Sequence, residues 1–312
     1  MERGQVWALV LAAGEGTRVR AMTVDEGGRH VPKQYYGFGD RRPMIRWALD
    51  RAEPHASRSR TVVVVAEEHR VHWEQELADL APPNVVAQPR NRGTGVGLLL
   101  PLVVRILAAD PEATVLVLPS DHFVADERVL GKAVERAIAV VRDTPERLAL
   151  LGIAPESPDP DYGWILPDGG AAESPPWPVR SFVEKPDAEV AGRLKDAGAL
   201  VNSFIFAASG FTLLGLYEQA SPGLVDRFRE SGSMDRLYEK LPELDFSRDI
   251  LAAARTQLSV LPVPECGWND LGTPGRIQRF RGDSENASGV PRPCRALVRL
   301  GSTSGSLLAA SA

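Results

Sequence analysis

Short apolar runs alternate with amphipathic stretches through the first half of the chain. The runs Val6–Ala12, Thr61–Ala66, Val85–Ala87, Thr114–Leu118 and Leu148–Ile153 have strand length and are rich in β-branched and aliphatic residues. Between them, Pro43–Ala52, His69–Leu80, Thr94–Ala109 and Glu127–Arg142 repeat their apolar positions at helical spacing. Strands alternating with helices of this length predict βαβ units, and so a doubly wound α/β fold on a mostly parallel sheet covered on both faces. Such sheets collect ligands beyond the carboxyl ends of their strands, so chemistry is expected directly after the apolar runs.

From about residue 155 the pattern changes. Pro155–Pro160 and Ser174–Pro178 read as Pro-rich loops around a short strand at Tyr162–Leu166. Further strands are expected at Val179–Val183, Leu200–Ala207 and Leu258–Val263, with helices near 187–197, 210–220 and 222–241. This half is expected to continue the same sheet and to add a smaller, substrate-sized lobe. The organisation predicted is one catalytic domain over 1–280, with halves of about 1–154 and 155–280. A Gly-, Ser-, Ala- and Pro-rich tail over 281–312 is expected to be loosely ordered.

Composition excludes several classes. Lys and Arg number 36 against 41 Asp and Glu, a net charge of −5, so a general nucleic-acid binder is not expected. The longest near-apolar run, Gly95 to Val104, is ten residues, well short of the roughly 18 that a spanning helix needs. Met1–Ala13 has the apolar character of a signal peptide, but only Arg3 supplies positive charge and the run leads straight into Gly14-Glu15-Gly16-Thr17-Arg18. A cytoplasmic location and no membrane partner are therefore expected. Cys266 and Cys294 are the only cysteines, which rules out a disulfide framework or a thiolate zinc site.

The glycines at 14 and 16 let the backbone turn tightly so that successive N–H groups point at an anion. No Gly-Lys-Ser/Thr follows, so this is not a P-loop, and the third glycine of the dinucleotide fingerprint is missing. A Gly-x-Gly turn also serves ordinary strand-to-helix connections. Arg18 beside it and Pro32-Lys33-Gln34 a loop later favour a polyanionic ligand such as a triphosphate. The third strand runs into Gln88-Pro89-Arg90-Asn91-Arg92-Gly93-Thr94, where Thr94 reads as a helix N-cap. Asp121, in Pro119-Ser120-Asp121-His122, closes a buried strand. A carboxylate there is costly to desolvate unless it meets a cation, and Mg²⁺ suits it better than a capping role. His122 is expected to pack rather than to catalyse.

These segments, with Leu11-Ala12-Ala13 ahead of the glycines, Tyr162-Gly163, Phe182-Val183-Glu184-Lys185-Pro186 and Trp268-x-Asp270-x-Gly272, occur in an order that resembles the sugar-1-phosphate nucleotidyltransferases over about residues 6–280. The mannose-1-phosphate guanylyltransferase branch is the most similar. The resemblance implies a Rossmann-like nucleotide-diphospho-sugar transferase fold with a sugar-binding lobe. It further implies that Ala12, Ala13, Gly14, Gly16, Thr17, Gln88, Arg92 and Thr94 bind the nucleotide, while Arg18 and Lys33 hold and activate the triphosphate. Asp121 and Asp270 would bind Mg²⁺, Lys185 the phosphate of the sugar 1-phosphate, and Gly163, Glu184 and Asn202 the sugar hydroxyls. The implied partners are an NTP, GTP first, and a sugar 1-phosphate, with room for a homodimer.

Each later motif also has a plainer reading. Glu184-Lys185-Pro186 taken alone is a solvated strand end, Asn202 a loop hydrogen-bonder and Trp268 a core aromatic. Asp245 and Asp249 fit a cap or a surface ion pair as well as a substrate contact. The chain departs from the guanylyltransferase pattern at Gln88-Pro89, Arg92-Gly93-Thr94-Gly95-Val96 and Val201-Asn202-Ser203-Phe204, and by a longer loop at Met22–Val31. The phosphate and metal positions are kept, while the base and sugar pockets differ. Alternatives to GDP-mannose synthesis are another NTP and sugar pairing or a catalytically silent nucleotide-sugar sensor. A glycosyltransferase would instead show a metal-binding Asp-x-Asp.

Overall fold

The computed structural model describes residues 4–38, 42–169 and 174–286. Nine strands form one sheet: β1 (Val6–Ala12), β2 (Thr61–Ala66), β3 (Val85–Gln88), β4 (Thr114–Pro119), β5 (Leu148–Ile153), β6 (Gly163–Pro167), β7 (Trp177–Glu184), β8 (Leu200–Ser209) and β9 (Leu258–Val263). Helices α1 (Met44–Ala52), α2 (Arg70–Glu76), α3 (Gly93–Pro101), α4 (Leu107–Ala109) and α5 (Glu127–Asp143) belong to the first half. Helices α6 (Ala188–Asp196), α7 (Gly210–Ala220), α8 (Leu224–Glu230), α9 (Met234–Lys240) and α10 (Pro274–Asn286) follow.

The strand order is β3-β2-β1-β4-β8-β5-β9-β7-β6. β1, β2 and β4 are buried almost end to end, as strands covered on both faces must be. Their side chains divide by alternation. Leu9, Val62, Val64, Val115 and Val117 pack with α3, α7 and α8, while Ala8, Val10, Val63, Val65 and Leu116 pack with α1 and α5. The doubly wound architecture is therefore as expected.

The expectation of a mostly parallel sheet needs correction. β1, β2, β3 and β4 pair in parallel, as do β5 and β9. However, β8 inserts antiparallel between β4 and β5, and β6–β7, β6–β8 and β7–β9 are also antiparallel. The sheet is mixed, because the chain returns through β8 to fill the gap that a simple βαβ succession would leave to β5.

Two helix expectations and the start of the tail also change. The stretch 94–109 is not one α-helix: Pro101 lies inside it, and a π-helical turn at Leu102–Ile106 separates α3 from α4. The stretch 222–241 divides at Ser231-Gly232-Ser233, where Ser233 caps α9. α10 carries the helix to Asn286, into the segment expected to be loosely ordered, and the remainder of that segment lies outside the described residues. Among the described residues no helix is long and apolar enough to cross a membrane.

Candidate active site

β1 lies between β2 and β4, and chain order reverses direction there, which in open α/β sheets opens a crevice beyond the strand ends. Leu11 of β1 is in register with Pro119 of β4. The two ends are tied together by Ser120, whose N–H and hydroxyl both donate to the Leu11 carbonyl, at 3.1 and 2.6 Å. A cleft of about 380 Å³ lies above this junction, lined among others by Ala13, Gly14, Gly16, Gln88, Thr94 and Asp121.

The glycine turn is built for close approach. A side chain at Gly14 would meet nothing within 4 Å, so that face is open to a ligand. Gly16 has φ 61°, the left-handed region that glycine occupies without strain, and a Cβ there would stand 3.1 Å from Lys33 Cβ. Gln34 Nε2 donates to the carbonyls of Ala12 and Gly14 at 2.9 and 3.0 Å, and Tyr35 OH donates to Ala12 at 3.3 Å. The carbonyls of Ala12 and Gly14 are thereby both satisfied by side-chain donors. Thr17 begins the 3₁₀ turn Thr17–Met22 and does not line the cleft.

Gln88, at the end of β3, is 2% exposed, and among the described residues its Oε1 has no hydrogen-bond partner. A Cβ on Gly97 would lie 3.1 Å from that oxygen, so the glycine keeps the space around it clear. A buried acceptor without a donor is costly in an empty site and is relieved by a ligand N–H. Thr94 does not cap α3 as expected. The helix starts at Gly93, whose N–H donates to Asn91 Oδ1 at 2.9 Å, and Thr94 Oγ1 instead accepts from Phe246 N–H at 2.9 Å. The guanidinium of Arg92 is drawn away from the cleft, donating to the carbonyls of Tyr238 at 2.8 Å and Glu239 at 3.4 Å at the end of α9.

Lys33 is the hub of the site. It is 3% exposed, and its ammonium donates to Asp121 Oδ2 at 2.8 Å and to the backbone carbonyl of Asp270. Residues more than two hundred positions apart thus meet at one cation. Burial pushes the Asp121 carboxyl up, but the charges of Lys33 and His122 and the Lys33 hydrogen bond outweigh it and hold the group below the usual carboxylate range. Burial pushes His122 down to about 4, against the pull of Asp121. Its Nδ1 accepts from Trp268 Nε1 at 3.3 Å, which leaves the proton of the neutral ring on Nε2, 3.8 Å from Asp121 Oδ1.

The carboxylate of Asp270 is already engaged. Arg276 Nη1 donates to both its oxygens at 2.8 and 2.9 Å, Gly272 N–H donates at 3.0 Å, and Tyr162 OH stands 3.4 Å away. Arg276 is the site residue that the sequence reading missed. A single arginine in a helix after Asp270 carries no motif, and only the fold reveals that it is 2% exposed. Among the described residues no three His, Cys, Asp or Glu side chains converge as a metal cluster.

The expected sugar-side residues do come together. Gly163 is in register with Glu184, and a Cβ at 163 would strike Glu184 Oε2 at 2.6 Å and approach Asn202 Cβ to 3.4 Å. The glycine is what lets the carboxylate lie across the sheet edge. Lys185, at φ 45°, turns its ammonium back onto Glu184 Oε1 at 2.9 Å and is about half exposed. Asn202 Oδ1 accepts from Phe204 N–H at 3.0 Å, stabilising the left-handed backbone of Phe204 at φ 58°. Arg18 reaches across to this half, 3.4 Å from Asp161, with both groups exposed.

The sequence model of the nucleotidyl transferase family matches residues 7–282. The chain is 29% identical over 283 residues to the xanthan biosynthesis protein XanB of Xanthomonas campestris pv. campestris (strain B100), covering 86% of this chain and 58% of that protein. It is 25% identical over 289 residues to the mannose-1-phosphate guanylyltransferase of Escherichia coli (strain K12), covering 88% of this chain and 59% of that one. The chain therefore spans under three fifths of the length of these relatives. The crystal structure of mannose-1-phosphate geranyltransferase from Thermus thermophilus superposes with a TM-score of 0.76 at 22% identity, covering 86% of this chain and 76% of that one. That likeness is one of fold.

Proposed function

The chain belongs to the nucleotidyl transferase family, and on that premise we propose that it transfers the nucleotidyl group of GTP to mannose 1-phosphate, giving GDP-mannose and pyrophosphate. The observation that carries this reading is Lys33, buried beneath Gly16 and bonded at once to Asp121 and to the backbone of Asp270. It places a fixed positive charge where the glycine turn, the end of β4 and the 270 loop meet.

The triphosphate lies along the Gly14–Gly16 turn, with the base toward Gln88 and Thr94. The sugar 1-phosphate enters from the side of Gly163, Glu184, Lys185 and Asn202. An oxygen of its phosphate attacks the α-phosphorus in line, the new P–O bond forms as the bond to the β-phosphate bridge breaks, and pyrophosphate leaves. Such a displacement needs alignment and charge neutralisation rather than a covalent enzyme nucleophile. Lys33 keeps Asp121 ionised and anchors the 270 loop, and Lys185 meets the incoming phosphate.

The residues present fit a Mg²⁺ ion at Asp121, a half-buried carboxylate at a strand end whose Oδ1 stands 3.8 Å from His122. Asp270 fits as a second ligand in competition with Arg276, which already donates to both its oxygens. When bound, the ion would neutralise charge on the reacting phosphates. A second reading concerns the base alone. The carboxamide of Gln88 both accepts and donates, so it can pair with the N3–H edge of uracil or thymine as well as with guanine. The test of the reaction is Asp121→Asn, which is expected to abolish pyrophosphate release while the circular dichroism spectrum stays that of the parent. Undiminished release would refute the reading.

A further inference from the structure

We propose that Arg276 is an internal cation that competes with the divalent metal for the carboxylate of Asp270. The proposal rests on the reading of Asp121 and Asp270 as the metal carboxylates, and goes beyond it by giving Asp270 a second, competing partner. A metal ligand must offer an oxygen lone pair. One guanidinium nitrogen of Arg276 straddles both oxygens of Asp270, and Gly272 N–H and Tyr162 OH take further positions on Oδ1. Arg276 and an ion cannot both use the face that the guanidinium covers.

The surroundings make an exchange feasible rather than a permanent lock. Arg276 holds a second carboxylate, since Nη2 donates to Asp159, and its guanidinium lies over the Tyr162 ring, 3.9 Å from the centroid. On losing Asp270 the guanidinium keeps an ion pair and a cation–π partner, so its release does not strand a buried charge. Arg276 is 2% exposed, so water does not screen its hold on Asp270. The device also touches both halves of the site. The Asp270 backbone carbonyl accepts from Lys33, and the Tyr162 carbonyl accepts from Lys185 N–H at 3.1 Å. Arg276 is in this sense a positioning residue: it decides how tightly the site takes its metal without touching substrate.

The test is Mn²⁺ affinity, read from the electron paramagnetic resonance signal of the free ion titrated with the purified full chain, without nucleotide or sugar. Asp121→Asn is expected to weaken Mn²⁺ binding, which checks the metal site itself. Arg276→Met is expected to tighten it about tenfold, the scale of removing one charge-assisted competitor. General structural damage would loosen the site, so the sign separates the two causes. Arg276→Lys, which keeps the charge but loses the planar fork, is expected to tighten binding to a smaller extent and serves if the methionine variant does not fold. In an Asp270→Asn background the Arg276 substitutions are expected to have no effect. Weakening by Asp121→Asn together with unchanged or weaker binding in both Arg276 variants would overturn the competition while leaving the metal site standing. No effect of Asp121→Asn would overturn both.

Discussion

Lys33→Met removes the cation on which the site converges and keeps most of the side-chain volume. Two losses follow. The 2.8 Å ion pair with Asp121 disappears, and so does the bond to the Asp270 carbonyl. Breaking a fully buried pair typically costs about 3–5 kcal/mol, but the Asp121 side chain is 37% exposed, so water recovers part of the loss and about 2 kcal/mol is expected. For a domain of this size that corresponds to a fall in melting temperature of roughly 3 °C. The kinetic loss should be larger, because a fixed positive charge near developing phosphate charge is worth about 10²–10³ in kcat. The assay pairs differential scanning fluorimetry with coupled pyrophosphate release at saturating substrates. A variant that melts a few degrees lower, remains folded at the assay temperature and turns over at least about a hundredfold more slowly supports the role. Turnover within about threefold of the parent would refute the placement of Lys33 at the reaction centre.

Other substitutions divide the site into its parts. Lys185→Ala is expected to raise the KM for sugar 1-phosphate far more than that for NTP, because its ammonium sits on Glu184 in the second half of the chain; equal damage to both would count against that assignment. Gly16→Ala places a side chain at φ 61° and 3.1 Å from Lys33 Cβ, so a loss of roughly 1–2 kcal/mol in stability and a raised KM for NTP are expected, read by chemical denaturation and steady-state kinetics. Arg92→Ala is expected to lower thermal stability with little change in KM for NTP, since its guanidinium serves the α9 carbonyls; a large KM increase would return it to the nucleotide site.

Much of the fold was legible in the sequence. β1, β2, β5 and β9 begin and end where their apolar runs do, because a strand buried on both faces has no polar alternation to blur its limits. The insertion of β8 between β4 and β5 was not legible, since strand partnership is a long-range choice that a run of apolar residues does not encode. The same division holds at the site. Gly14, Gly16 and Asp121 follow strand ends, Gln88 closes β3, and all four line the cleft. Arg92 shares their stretch of sequence yet turns the other way, because the α9 carbonyls offer its guanidinium a closer partner. Arg276 gave no signal at all. Its role arises from α10, the 270 loop and the 159–162 loop meeting, and a lone arginine on a helix looks the same whether it faces water or two carboxylates.

Nucleotidyl transfer to a sugar 1-phosphate is tested most directly by pyrophosphate release from each NTP against a panel of sugar 1-phosphates with Mg²⁺ present. GTP with mannose 1-phosphate is expected to give the fastest release. Side activity with dTTP or UTP is also expected, because the neutral carboxamide of Gln88 both accepts and donates and so discriminates between bases less than an ionised carboxylate would, by ~1–2 kcal/mol, roughly tenfold. Preference for a pyrimidine triphosphate would overturn the GDP-sugar assignment and leave the reaction standing. No pyrophosphate from any pair, by folded protein, would contradict nucleotidyl transfer by this chain.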